Sequence, residues 1–250
     1  MNSSFFWEWK KLAILFFILP GYAWNAFTST SNVISYNSIN NNNSFYSISL
    51  KLYHKINDSD LDFDAFKYGL KGYLKLQNDN KLGNSNYLTI IDMSASSNKE
   101  RLFIVNMETQ QLEHKSLVSH GRNSGLEFAK QFSNEINSHQ TSLGFYKTAE
   151  TYHGKHGFSL RLDGLEYSND KARKRAVVIH EANYANKEFI KKNGRLGRSY
   201  GCPSLPQKDY TTIINKIKKG SLLFIYYPET SYLKNSKIVN SDLDLQGDFG

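Results

Sequence analysis

The order of apolar and polar positions divides the chain into four stretches. From Thr28 to Ser49 it is dominated by Ser and Asn, with Asn40 to Asn43 in a row. Such a stretch buries too little apolar surface to offset its ordering entropy, so residues 24–57 are expected to form a flexible leader. Asp58-Ser59-Asp60 then precedes Leu61, Ala65, Phe66, Leu70, Tyr73 and Leu74, whose spacing of three and four predicts a capped helix packed on the main domain. From Tyr87 onward the period changes. Tyr87–Met93, Arg101–Met107, Leu112–Val118, Leu143–Ala149, Phe158–Leu162, Ala176–His180 and Ser221–Tyr227 are short runs rich in β-branched and aromatic residues, parted by polar turns. Two helices interrupt these strands. Lys187–Asn193 stops at Gly194, and Lys208–Lys219 stops at Gly220 with Ile213, Ile214 and Ile217 on one face. After Pro228 the chain turns polar, and residues 229–250 are expected to be a loose tail. The sum is one mainly β domain over residues 58–228 with a helical preface and a few peripheral helices.

Composition supports that reading and removes others. Of 250 residues, 40% are hydrophobic and 16 each are Tyr and Phe, enough for a sizeable core on pleated surfaces. The formal net charge of +8 favours anionic surroundings. The Lys and Arg are not gathered on a recognition helix, so nucleic acid is not expected as a partner. Lys10 and Lys11 precede an apolar run from Leu12 to Leu19 that breaks at Pro20-Gly21. Basic residues, a short apolar stretch and small residues form a secretory signal, with cleavage expected after Ala23. The run falls short of the roughly 20 apolar residues that span a bilayer, so residues 1–23 are expected to be removed and the rest exported, not integral to a membrane. An uncleaved anchor is the alternative.

The single cysteine excludes an internal disulfide and a multi-cysteine zinc framework. Cys202 lies in Ser199-Tyr200-Gly201-Cys202-Pro203-Ser204-Leu205-Pro206, a Gly- and Pro-punctuated segment with loop chemistry. A lone exported thiol is an inert buried group, an intermolecular bridge or a nucleophile. Lys191, Lys192, Arg195, Arg198 and Lys208 flank it in sequence, and cationic surroundings favour a thiolate. Gly201 brings a backbone N–H near the sulfur, where it could hold a developing oxyanion. His180 ends the apolar run Ala176-Val177-Val178-Ile179, and an imidazole there can take the thiol proton. The bland reading of His180 is a core or capping histidine. His120, His153 and His156 sit in Gly-flanked loops that could line the same cleft. Zinc would be the competing use of these side chains, but His180-Glu181-Ala182-Asn183-Tyr184 lacks the second His of a zinc-helix pattern, and no metal site is assigned.

Val178-Ile179-His180, followed by Gly194-Arg195-Leu196-Gly197-Arg198-Ser199-Tyr200-Gly201-Cys202-Pro203, resembles the murein L,D-transpeptidase (YkuD-like) catalytic domain, in its Gram-negative Gly-Cys-Pro branch. Ser119-His120-Gly121-Arg122-Asn123-Ser124-Gly125, Thr141 to Tyr146 and Gly157 to Gly164 fit that branch as well, and the likeness runs from about Leu61 to Tyr227. The resemblance implies a β-sandwich-like fold and no cofactor. It implies a periplasmic enzyme on peptidoglycan stem peptides, with Cys202 as nucleophile, His180 as base and Gly201 with Cys202 as oxyanion donors. Ser199 stands at the family's Ser/Thr position. D-Ala would leave a tetrapeptide, a thioester would form, and a neighbouring amine would close a 3→3 cross-link. Water as acceptor would make a carboxypeptidase or amidase, and a fold without activity would leave a wall-binding module. Carbapenems would acylate the cysteine. The chain departs from the pattern at Tyr200 (usually His), Ser204 (usually Arg) and Glu181 (often Gly). Arg195, Arg198, Tyr200, His120, Arg122, His153 and His156 are therefore the expected substrate contacts.

Overall fold

A computed structural model describes residues 44–243 of the chain. The expected signal segment 1–23 and the end of the tail lie outside the described residues. Helices are α1 (residues 44–56), α2 (Phe63–Asn78), α3 (Lys187–Asn193), α4 (Tyr210–Ile217) and α5 (Thr230–Asn235). Strands are β1 (Tyr87–Asp92), β2 (Leu102–Asn106), β3 (Gln111–Ser116), β4 (Gly144–Gly154), β5 (Gly157–Gly164), β6 (Val178–Glu181), β7 (Ser204–Leu205) and β8 (Leu222–Tyr226). The mainly β architecture expected from the sequence is realised as one mixed sheet in the order β3-β2-β1-β8-β4-β5-β6-β7. Among the named strands, β1–β8 and β6–β7 pair in parallel and the other neighbours are antiparallel.

Every residue of β8 and all but the first of β1 are buried, so both faces of the sheet centre are covered. α2 covers one of them. Its cap is Asp62, whose carboxylate accepts from the Ala65 N–H, just after the Asp58–Asp60 cap read from the sequence. Asp58 and Asp60 instead bind the Lys115 ammonium. α2 lies close to the sheet because Gly69 and Gly72 face it. A Cβ at Gly72 would stand 2.2 Å from the Phe145 ring, which itself stacks on Phe224 at 4.1 Å. α4 buries Ile213, Ile214 and Ile217, the face its sequence offered.

Two expectations need correction. Residues 44–56, placed in the flexible leader, are helical and bury Phe45, Ser49, Leu52 and Ile56. These positions recur at helical spacing, so even a Ser/Asn-rich segment presents one apolar stripe. Residues 229–243, expected to be loose, dock on the core. Glu166 is buried, and its carboxylate accepts from the Phe145 N–H (2.9 Å), the Tyr232 hydroxyl (2.7 Å) and the Ser236 hydroxyl. A buried carboxylate must be hydrogen-bonded, and here the tail supplies two of the donors. Burial pushes the Glu166 carboxyl above its ordinary range.

Candidate active site

His180 lies on β6, and β7 begins two residues after Cys202. His180 pairs with Ser204 in parallel register, which places Cys202 two residues upstream, beside the start of β6. Cys202 is half-buried. Its thiol donates to the Ala176 carbonyl at 3.7 Å, and the sulfur accepts from the Val178 N–H. The Lys and Arg that flank Cys202 in sequence do not set its ionisation. Burial is the largest influence and raises the thiol pKa, and the cations that oppose it are Arg175 and Lys155. The expected thiolate-favouring field is thus outweighed by loss of water.

Arg175 was not singled out from the sequence. Its guanidinium donates to the Ser133 carbonyl (2.8 Å), the Gln140 carbonyl (2.6 Å) and the Ser138 and Ser142 hydroxyls, strapping the 133–142 loop beneath Gly201. Gly201 has φ +121°, and a Cβ there would meet the Gln140 oxygen at 2.8 Å and Arg175 at 3.2 Å. Only glycine suits that position. The only sequence hint of Arg175 is the basic run Arg173-Lys174-Arg175 just before β6.

Ser199 ties the nucleophile loop to itself. Its hydroxyl donates to the Cys202 carbonyl (2.7 Å) and accepts from the Gly201 N–H (3.0 Å). Gly201 is therefore not a free oxyanion donor, contrary to the sequence expectation, and Ser199 is a positioning residue. The Cys202 N–H has no acceptor among the described residues. Two further bonds, Ser199 N–H to the His120 carbonyl (2.9 Å) and Arg122 N–H to the Ser199 carbonyl (2.7 Å), zip this loop to residues 119–125.

The His180 ring is oriented from both sides. Nδ1 lies 2.6 Å from the Glu181 carbonyl, which can only accept, so Nδ1 carries the proton. The main chain makes this contact, so the side chain at 181 does not enter it. Nε2 is then the basic nitrogen, and the Ser204 hydroxyl donates to it at 3.1 Å. The Tyr184 hydroxyl lies 3.2 Å from Ser204 Oγ and, with that proton already spent on Nε2, donates to it. The His156 ring stacks on His180 at 4.5 Å. Burial, then the neighbouring His156 and Lys155, hold the His180 pKa below its usual value, opposed by the Glu181 carbonyl.

The other expected contacts divide. Tyr200 is 66% exposed, with the Arg122 guanidinium 4.8 Å from its ring centroid and His139 at 4.5 Å. Arg122, Arg195 and Arg198 join Tyr184, Phe189 and Tyr200 around one open surface depression. Arg198 also donates to the Arg122 and Gly125 carbonyls, so it braces the rim. His120 is not a cleft residue. It is fully buried, and its Nδ1 accepts from Arg101 at 2.8 Å. Burial and that guanidinium hold the imidazole neutral, with its pKa lowered to about 3. Arg101, itself fully buried, also donates to the Val118 and Ala95 carbonyls. His153 packs on Phe158 across the β4–β5 hairpin, with centroids 5.3 Å apart, while His156 reaches His180.

A sequence profile for the L,D-transpeptidase catalytic domain matches residues 57–226. No curated protein matches. Among solved structures, an L,D-transpeptidase from Mycobacterium smegmatis is 12% identical over 57% of this chain and 59% of its own, with a TM-score of 0.36. L,D-transpeptidase 1 of Mycobacterium tuberculosis is 11% identical over 57% and 62%, with a TM-score of 0.33. LdtMt1 solved in complex with imipenem is 11% identical over 56% and 59%, with a TM-score of 0.36. The chain thus spans about three-fifths of the length of these structures.

Proposed function

This chain belongs to the L,D-transpeptidase catalytic domain family, and on that premise we propose that it is an exported, periplasmic enzyme that cross-links peptidoglycan stem peptides through a Cys202 thioester. What supports this reading is the pairing of His180 with Ser204, two residues after the chain's one cysteine, and a Glu181 carbonyl contact that leaves Nε2 as the basic nitrogen. In the first half-reaction the thiol proton passes to Nε2 and the sulfur attacks the carbonyl of the third stem residue, diaminopimelate. The oxyanion that forms would take the unpaired Cys202 N–H as a donor. His180 then returns the proton to the departing D-Ala amine, leaving a thioester. In the second half, the amine of a neighbouring stem attacks that thioester, His180 takes its proton, and the thiol is restored with a 3→3 link made. Arg122, Arg195 and Arg198 supply positive charge around the depression beside Tyr200, where the carboxylates of a stem would be attracted.

The test is incubation with disaccharide-tetrapeptide, followed by mass. Cross-linked dimer supports the proposal. Free tripeptide alone would reassign the site to a carboxypeptidase, and binding without turnover to a wall-binding module. Turnover that survives Cys202→Ala would remove the mechanism. A carbapenem presents an electrophilic ring carbonyl to the same sulfur. We expect a one-to-one mass addition lost in Cys202→Ala, and an unchanged mass counts against it.

A further inference from the structure

We propose that Ser204, held by Tyr184, is a positioning residue that decides when His180 can act on the thiol. The inference rests on the reading of Cys202 and His180 as nucleophile and base. In the structure neither group engages the other. The thiol donates to the Ala176 carbonyl, and the lone pair of Nε2 is filled by the Ser204 hydroxyl. Ser204 is fully buried, so no water competes for its proton. Its oxygen is turned by Tyr184, which leaves the hydroxyl hydrogen one acceptor, Nε2. These are two separate hydrogen bonds that must both open before a proton can pass from sulfur to nitrogen.

A serine hydroxyl can hold a neutral imidazole and then release it. In the productive step the S–H bond breaks and an Nε2–H bond forms, giving thiolate and imidazolium. As Nε2 fills, the Tyr184 hydrogen turns away from Ser204, and the Ser204 hydrogen turns from Nε2 to the Tyr184 oxygen. Tyr184 borders the arginine-lined depression, so a ligand seated there can disturb the outer end of this chain and free the base. The resting enzyme keeps its sulfur protonated until that happens.

The experiment follows iodoacetamide alkylation of Cys202 against pH in the protein and its variants. Arg175, Lys155 and His156 face the pair from the turn before β6 and from the hairpin tip, and they remain unchanged in every variant. Ser204→Ala is expected to alkylate roughly threefold to tenfold faster at neutral pH, the worth of one hydrogen bond, with its half-point moved to lower pH. Ser204→Thr should restore the original profile. Adding His180→Asn should erase the gain, because the freed base is its source. Tyr184→Phe, which leaves β7 untouched, should shift the profile in the same direction by less. An unchanged or slower profile in Ser204→Ala overturns the proposal. Should that variant not fold, an unchanged profile in Tyr184→Phe does so alone. Alkylation that behaves as expected in a protein that turns over no stem peptide would keep this device and remove the proposed function, so the two fail separately.

Discussion

Strands β1, β8 and β4 meet α2 through apolar surface, with Gly72 against Phe145 and Phe145 stacked on Phe224. The loops that flank β6 and β7 are held through polar groups instead. Arg175 straps the 133–142 loop, Ser199 braces Cys202, and Arg101 anchors the 119–125 loop through His120. The first region is held by area removed from water, which is non-directional and tolerant of small shifts. The second is held by directional bonds to main-chain carbonyls, each of which fixes an atom. A sheet needs the former to exist, and a reacting pair needs the latter to stay in place.

Substitutions in each region should separate the two. The largest effect is expected from His180→Asn, a loss of acyl transfer of about 10²–10⁴-fold at an unchanged unfolding temperature. A comparable fall in stability would mean the polar region carries the fold as well. Gly72→Ala should do the converse. Driving a methyl group into the Phe145 ring is expected to cost about 1–3 kcal/mol in denaturant unfolding while activity per folded molecule holds. The third test uses pH. His120 titrates near 6.5 when unfolded and at about 3 when folded, so the unfolded chain binds the extra proton between those values. Stability should therefore fall as pH drops through that window, with a slope of up to about 1.4 kcal/mol per pH unit. His120→Asn should flatten the slope, which equilibrium unfolding at several pH values would read. Arg122→Ala is expected to do least, raising KM for tetrapeptide roughly tenfold or less while kcat holds. An equal fall in kcat would move Arg122 from substrate attraction to support of the Cys202 loop.

The same division explains what could be read from the amino-acid order. The central strands were legible because Leu222 to Tyr226 is a continuous apolar run and Leu88 to Ile91 is broken only by Thr89, as a doubly covered sheet demands. Helix α3 was legible to the residue, because Asn186 caps one end and Gly194 ends the other in a left-handed turn. The nearness of the Cys202 loop to β6 was suggested by the single helix-and-turn segment that joins them, and the β6–β7 pairing is where the structure lays that segment back. Three things were hidden. The α1 stripe is sparse and set among Ser and Asn, so its burial shows only once the sheet is there to receive it. The role of His120 depends on Arg101, nineteen residues away, and spacing gives no sign that one guanidinium will be sealed against one imidazole. The state of Nε2 depends on which hydroxyl faces it, and that follows from parallel register, not from motif.

The Glu166 carboxylate gives the last fifteen described residues a purpose that the family match, ending at residue 226, leaves out. A fragment trimmed at Tyr226 would keep every described strand, Cys202 and His180, yet strand an anion in oil, stripped of two of its three donors. Anyone shortening this protein for crystals or assays should treat Tyr232 and Ser236 as the plug of the vessel and cut beyond them.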